Sequence, residues 1–232
     1  MANVAKVKEF TLDADTTYLV GAIIGDGSIG NTKRTLPPLD EIDPRIIIEM
    51  GNYDFLEGVI APLVDKLLQR KRTFKVRERK GRQGKLNSTW VVEFRSKYFH
   101  KFLTENLQIP AGKKANSVSI SQIIELTKEN NNARLHLLAG IFDTDGGLRG
   151  KSIGHSTASK KLRDEVVSLL KDLGFSIIVS EWLNKKYNKK YYEWKIGRHS
   201  LIQSFIEKIP LRNKEKLNAI KNRFNLNAGG EI

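Results

Sequence analysis

The sequence predicts an α+β protein built from two pseudo-symmetric halves, each running helix, two strands, helix, two strands, helix. Three observations carry this expectation. Two apolar segments share one pattern: Tyr18-Leu-Val-Gly-Ala-Ile-Ile-Gly-Asp26-Gly27 and Leu137-Leu-Ala-Gly-Ile-Phe-Asp-Thr-Asp145-Gly146. Each is a helix-like run with glycine inside it and Asp-Gly at its end. The segments that follow each motif repeat in the same order, with helical stripes alternating with strand-like alternation. Both halves then reach Ile-Pro (Ile109-Pro110 and Ile209-Pro210), with a lysine four residues on (Lys114 and Lys214). On this reading residues 1–116 form the N-terminal half, 117–132 a linker and 133–232 the C-terminal half.

The elements follow in order. After the first motif helix, strands are expected at about 28–34 and 45–50, separated by a long loop over 31–43 that holds Pro37-Pro38. Phe55, Leu56, Val59, Ile60, Leu63, Val64, Leu67 and Leu68 keep i,i+4 spacing and predict an amphipathic helix. Pro62 inside it implies a kink or a late start. Strands 73–80 and 89–95 alternate faces: Lys75, Arg77 and Arg79 against Phe74 and Val76, then Glu93 and Arg95 against Trp90, Val92 and Phe94. A helix through Tyr98, Phe99, Phe102, Leu103 and Leu107 closes the half. Residues 119–129 predict a connecting helix, and Asn130-Asn131-Asn132 a break before the second motif. Half two is shorter, so 148–156 would have to hold two strands. Leu162, Val166, Leu169, Leu170 and Leu173 form the next stripe, stopped by Gly174. Strands 175–183 and 191–196 follow, with Tyr192, Trp194 and Ile196 as core and Tyr191, Glu193 and Lys195 opposite. Lys185, Lys186, Lys189 and Lys190 are read at the turn between them. The last helix carries Leu201, Ile202, Phe205, Ile206 and Ile209.

Composition excludes several chemistries. The chain has no cysteine, which removes disulfides, thiolate metal sites and cysteine nucleophiles. His100, His136, His155 and His199 are scattered, against a histidine-built metal site. No apolar run reaches the roughly 20 residues of a membrane helix. No signal peptide is visible at the N-terminus, so an intracellular protein is expected. Lys and Arg number 40 against 26 Asp and Glu, a net charge of +14 spread over both halves. That balance points to a polyanionic partner, most simply nucleic acid. Turn lysines would contact phosphates, and strand arginines, lysines and glutamates would reach base edges.

The motif helices suggest the chemistry. Gly21 and Gly25 share one helix face, and Gly140 and Thr144 match that spacing beside the small Ala139. Small residues so placed let two helices approach closely. Crossing the two helices would bring Asp26 and Asp145 side by side. Paired carboxylates repel unless a cation or a proton intervenes, and a hard ion such as Mg²⁺ suits them. Such a pair with its ions makes a phosphodiester-hydrolysing centre. Gly25-Asp-Gly27-Ser-Ile-Gly30 also satisfies a dinucleotide fingerprint, but Pro37-Pro38 follows where that fingerprint needs a helix.

The two segments resemble the paired motifs of the LAGLIDADG homing endonucleases in their single-chain, two-motif form. Leu138 through Gly146 matches the motif name at six of nine positions, and Leu19 through Gly27 at five. The repeated order of elements extends the resemblance over nearly the whole chain. It implies motif helices packed at the interface through Gly21, Gly25, Ala139 and Gly140, and antiparallel sheets forming a DNA-binding saddle. It implies that Asp26 and Asp145 are catalytic and bind Mg²⁺, with Gly25 and Thr144 offering backbone carbonyls. Mn²⁺ would substitute, and Ca²⁺ would support binding without cleavage. Both strands of a long asymmetric double-stranded DNA site would be cut by one monomer, leaving short 3′ overhangs. The candidate DNA contacts are Lys33, Arg34, Arg45, Lys75, Arg77, Arg79, Lys80, Arg82, Lys85, Arg95, Arg149, Lys151, Lys185, Lys186, Lys189, Lys190, Lys195 and Arg198. One departure stands out. Family sites often add Lys or Gln near the end of the second strand, where this chain has Met50-Gly51 and Thr157-Ala158. Two other roles fit the same scaffold: an RNA maturase that helps splice its host intron, and a cleavage-inactive DNA-binding protein. No intein splicing residues are expected in a chain without cysteine that starts directly before its first motif.

Overall fold

A computed structural model describes residues 10–32, 42–69, 75–79, 89–186 and 188–226. Two helices form its centre. α1 (Ala14–Asp26) starts where the Asp13 side chain accepts the Thr16 N–H at 2.7 Å, and α6 (Asn131–Asp145) where Asn130 accepts that of Ala133 at 3.0 Å. Each cap satisfies a helix-end N–H that has no partner inside the helix. The break expected at 130–132 is therefore the start of the second motif helix. Both helices are buried along most of their length, over residues 16–24 in α1 and 137–144 in α6, as a central helix pair requires.

Each motif helix runs straight into a strand at the glycine after its aspartate. β1 (Gly27–Ile29), β2 (Arg45–Met50), β3 (Arg77–Arg79) and β4 (Thr89–Arg95) form one antiparallel sheet in the order β1-β2-β4-β3. β5 (Gly146–Leu148), β6 (Ile153–Thr157), β7 (Ile178–Asn184) and β8 (Lys189–Ile196) form the second, in the matching order β5-β6-β8-β7. Register sorts the faces. Ile46 opposite Phe94 and Ile48 opposite Val92 face the helices. Arg45 opposite Arg95 and Ile47 opposite Glu93 face away. In the second sheet Ile153–Ile196 and His155–Trp194 are helix-side, whereas Gly154–Lys195 and Ser156–Glu193 face away.

Several expected boundaries shift. The strand expected at 28–34 is only Gly27–Ile29. The crowding expected at 148–156 is relieved because β5 begins at Gly146 and a tight turn over 149–152 leads into β6. The strand expected at 175–183 is Ile178–Asn184, and the next begins at Lys189 rather than Tyr191. Lys189 and Lys190 therefore belong to a strand and not to the turn. Residues 33–41, 70–74 and 80–88 lie outside the described residues, and with them Lys33, Arg34, Lys80, Arg82 and Lys85.

The remaining helices cover the inner sheet faces. α2 (Tyr53–Phe55), a π-helical turn at Leu56–Ile60 and α3 (Ala61–Leu68) run on as one helix. Pro62 sits in the first turn of α3, just past the wide turn, where its missing N–H costs least. α4 (Lys97–Lys101) also continues into a π-helical turn, Phe102–Asn106. α5 (Ser121–Leu126) is the expected connector. α7 (Lys160–Asp172) is capped by Ser159, and Gly174 beyond it takes φ +87°. α8 (His199–Lys208) is followed by α9 (Lys214–Phe224), for which the periodicity raised no expectation. No helix among the described residues is long and apolar enough to cross a membrane.

Candidate active site and the sheet faces

The motif helices cross in backbone contact. A Cβ built on Gly140 would lie 2.1 Å from the Tyr18 carbonyl oxygen, and one on Gly21 2.4 Å from that of Leu137. Near the helix ends, a Cβ on Gly25 would meet the Thr144 hydroxyl at 2.1 Å. Ala139 is fully buried. Only residues without side chains allow this approach at Gly21 and Gly140. Asp26 and Asp145 end the crossed helices and face each other.

Two lysines enclose this pair. Lys114 Nζ donates to the carbonyls of Ile24 at 2.5 Å and Gly25 at 3.3 Å. Lys216 Nζ donates to those of Phe142 at 3.2 Å, Thr144 at 2.7 Å and Gly146 at 2.7 Å. Each ammonium thus caps the carbonyl end of one motif helix, where a cation is favoured. The Gly25 and Thr144 carbonyls, expected to face a metal, each accept a lysine here. Lys114 is the lysine four residues past the first Ile-Pro, a position the sequence marks only as part of the repeat. Its partner is Lys216 and not Lys214, because Lys214 opens α9 and is exposed while Lys216 turns toward α6.

The carboxylates are not equivalent. Burial and the facing Asp145 push Asp26 up to about 6, against the pull of Lys216, Lys114 and His155. Asp145 is also desolvated, yet His155 and the two lysines hold it below the usual carboxylate range. His155 Nε2 lies 3.2 Å from Asp145 Oδ2. The matching position in half one is Ile48, since Gly27 pairs with Ile48 as Gly146 pairs with His155. Burial lowers Lys114 to about 8 and lowers Lys216 as well.

A buried anchor positions Lys216. Asp143 is fully buried, and its Oδ2 accepts the Tyr18 hydroxyl at 2.6 Å and the backbone N–H groups of Arg212 at 2.6 Å and Asn213 at 3.1 Å. Asn213 in turn caps α9 by accepting the Lys216 N–H at 3.2 Å. The Arg212 guanidinium stacks 4.4 Å over the Tyr18 ring and pairs with Asp15 at 2.8 Å. Residues from both motif helices therefore hold the start of α9. Asp143 corresponds to Ile24 in the first motif, so this device exists in one half only.

The donor set suits a hard divalent ion: two facing carboxylates, with carbonyl oxygens close by. Among the described residues no group of three or more His, Cys, Asp or Glu side chains is placed to chelate a metal. An ion at Asp26 and Asp145 would complete its shell with carbonyl, water or phosphate oxygens.

The sheet faces turned away from the helices carry many of the basic residues. On the first, Arg77 pairs with Glu93 at 3.0 Å, Arg79 with Glu49, Arg95 with Asp43 at 3.1 Å, and Arg45 with Asp43 at 3.4 Å. On the second, Glu193 gathers Lys195 at 2.7 Å, Arg149 at 3.4 Å, Ser180 at 3.0 Å and Ser156 at 3.2 Å. Desolvation works against its charge, but Lys195, Ser180 and Ser156 keep Glu193 below its ordinary range. Lys75, Lys151, Lys185, Lys186 and Arg198 are exposed. Lys190 has the parity of Trp194, projects to the helix side and pairs with Glu181 at 2.7 Å.

The comparisons agree with this architecture. Residues 132–210 match the family model of the LAGLIDADG-like domain. Among curated proteins, 106 residues, 46% of the chain, are 35% identical to the replication factor C small subunit of Methanocaldococcus jannaschii. A stretch of 220 residues, 89% of the chain, is 26% identical to the ATP-dependent DNA helicase Hel308 of Thermococcus kodakarensis. The matches span only 6% and 18% of those relatives' lengths. Mesophilic variants of the homing endonuclease I-DmoI superpose with a TM-score of 0.61 at 20% identity, over 85% of this chain and 96% of theirs. I-DmoI in complex with DNA and Mn gives 0.61 at 19%, over 86% and 97%. Full-length DUF199/WhiA from Thermatoga maritima gives 0.51 at 14%, over 98% and 65%. Residues 132–210 thus match a LAGLIDADG-like domain, and the chain as a whole has the two-halved LAGLIDADG fold of I-DmoI.

Proposed function

We propose that this chain is a site-specific double-strand DNA endonuclease. The observation that carries the reading is the pair Asp26 and Asp145, held face to face by the glycine crossing and flanked by Lys114 and Lys216. The fold it shares with I-DmoI, which has been solved with DNA and with Mn, Mg and Ca, supports a DNA substrate and divalent-metal use. Asp26 and Asp145 would hold Mg²⁺, with Mn²⁺ able to substitute and Ca²⁺ supporting binding only. The bound metal would supply a water of lowered pKa and neutralise charge on phosphate.

The chain's own groups do the rest. Lys114 and Lys216 place positive charge where negative charge builds up on the scissile phosphates. The crossed helices keep the two aspartates rigidly oriented, one for each strand. Residues 1–116 and 133–232, joined by 117–132, each take one half-site, so one molecule suffices for a long asymmetric site cut to short 3′ overhangs. Lys75, Lys151, Lys185, Lys186 and Arg198 would contact phosphates, as would Lys33, Arg34, Lys80, Arg82 and Lys85. Arg45, Arg77, Arg79, Arg95, Arg149, Lys189 and Lys195 would face base edges. Lys190, on the helix side, is left out of this interface.

The test is a plasmid library of random inserts incubated with protein and Mg²⁺, or with chelator, and sequenced at new ends. Discrete Mg²⁺-dependent double-strand ends, lost in Asp26→Asn and Asp145→Asn, are expected. A deep library left uncut while the protein still binds DNA would indicate a cleavage-inactive binder. Binding of intron RNA alone would indicate a maturase.

A further inference from the structure

The two outward sheet faces differ in chemistry. The first is a lattice of arginine–carboxylate pairs. The second carries exposed apolar side chains on the edge strand β7, where Ile178 is 58% and Trp182 44% exposed on either side of Ser180, a strip completed on β8 by Tyr191. Register places Ile178 opposite Lys195 and Trp182 opposite Tyr191, on the face away from the core residues Trp194 and Ile196. The Trp182 and Tyr191 rings stack 4.8 Å apart at 13°, and Lys189 Nζ lies 5.5 Å from the centre of the Tyr191 ring.

Such a strip is costly in water unless something covers it. Its surroundings say what does. Lys189 and Lys195 flank it on β8, Lys185 and Lys186 follow β7 at the turn, and Glu193, the acid on this face, is paired with both Lys195 and Arg149, which leaves the frame net basic. An apolar protein partner would not select that frame, whereas a polyanion would. Tyr191 and Lys189 also line the hollow that holds Gly25, Lys114 and Asp145. The strip is therefore continuous with the proposed cleavage site.

We infer that the strip lies in the DNA major groove and that Trp182, Tyr191 and Ile178 read the 5-methyl groups of thymines in the C-terminal half-site. The inference rests on the endonuclease reading above. Thymine alone presents a methyl group in that groove. Stacked rings are a rigid apolar surface that loses little entropy on contact. The arginine-lined first face would instead favour guanine edges, so the two half-sites are read by different chemistry.

The experiment replaces thymine by uracil in one half-site at a time of the cleaved target, which removes only the methyl groups. Substitution in the C-terminal half-site should weaken binding roughly fourfold per contacted methyl. Substitution in the other half-site should have little effect. Trp182→Ala and Ile178→Ala, exposed positions whose folding is checked by thermal melts, should each discriminate thymine from uracil duplexes less than the wild type does, and the double variant least. Unchanged wild-type binding to the uracil duplex would overturn the inference while leaving the endonuclease intact. So would a C-terminal half-site without thymine, or undiminished discrimination by both variants. A chain that neither binds nor cuts DNA would sink the endonuclease reading itself, and the inference with it.

Discussion

Gly140→Ala tests the geometry on which everything else depends. The added Cβ would sit 2.1 Å from the Tyr18 carbonyl oxygen and 2.8 Å from the Ala22 nitrogen. Carbon contacts settle near 3.5 Å, so the backbones must part by more than about an ångström. Both neighbours are main-chain atoms of a buried helix, so no side chain can swing aside. Overpacking of this kind costs about 1–3 kcal/mol. Alanine recovers about 1 kcal/mol over glycine in a helix interior, and separated helices lose contacts among Tyr18, Ala22, Leu137 and Ile141. A net loss of about 2 kcal/mol is expected. The assay is equilibrium urea denaturation, with Gly58→Ala as control. Gly58 has no neighbour within 4 Å of its built Cβ, so the control should be neutral or gain up to about 1 kcal/mol. The aspartates end the same two helices, so cleavage by Gly140→Ala should drop on the order of a hundredfold even where the protein stays folded. A variant within about 0.5 kcal/mol of wild type, the ordinary range for a harmless surface change, would refute the close crossing.

The other predictions concern charge and anchoring. With its carboxyl raised from 3.8 to about 6, Asp26 binds its proton more tightly folded than unfolded. Its contribution is therefore most favourable below about pH 4 and is lost as pH rises through about 6. In chelator, Asp26→Asn should exceed wild type by about 1–2 kcal/mol at pH 7.5 after solvent screening. That advantage should vanish at pH 4, and parallel melting profiles from pH 4 to 8 would contradict the strained pair. Lys216→Met should cut single-turnover cleavage on the order of a hundredfold with DNA affinity nearly unchanged. Loss of binding in step with cleavage would place Lys216 in docking instead. Asn213→Ala removes the cap of α9 and should cost about 1 kcal/mol in denaturant, with a larger loss in cleavage because Lys216 loses its aim. DNA affinity should fall about a thousandfold between 50 and 200 mM salt if about six phosphates are neutralised, measured by fluorescence anisotropy.

Local pattern in the sequence was enough for the two halves, the glycine crossing and the aspartate pair. Helical and strand periodicity, and small residues four apart, are properties of neighbours along the chain, so Gly21, Gly25 and Gly140 declare their role without a structure. The alternation of Arg77 and Arg79, or of Trp194 and Lys195, likewise assigns faces before any sheet is built. What surrounds Asp26 and Asp145 is different. His155 reaches Asp145 only because β6 pairs with β5 in one register, and a shift of one residue would turn it away. Lys216 rather than Lys214 reaches the helix end because Asp143, 70 residues from Asn213, holds the start of α9. Asp143 lies two residues before Asp145, and only its burial against Tyr18 and the Arg212 and Asn213 backbone makes it an anchor. Local composition places Lys190 among the turn lysines, and strand parity turns it to the helix side. These facts depend on contacts between distant segments, where side-chain direction is set by docking and register rather than by local spacing.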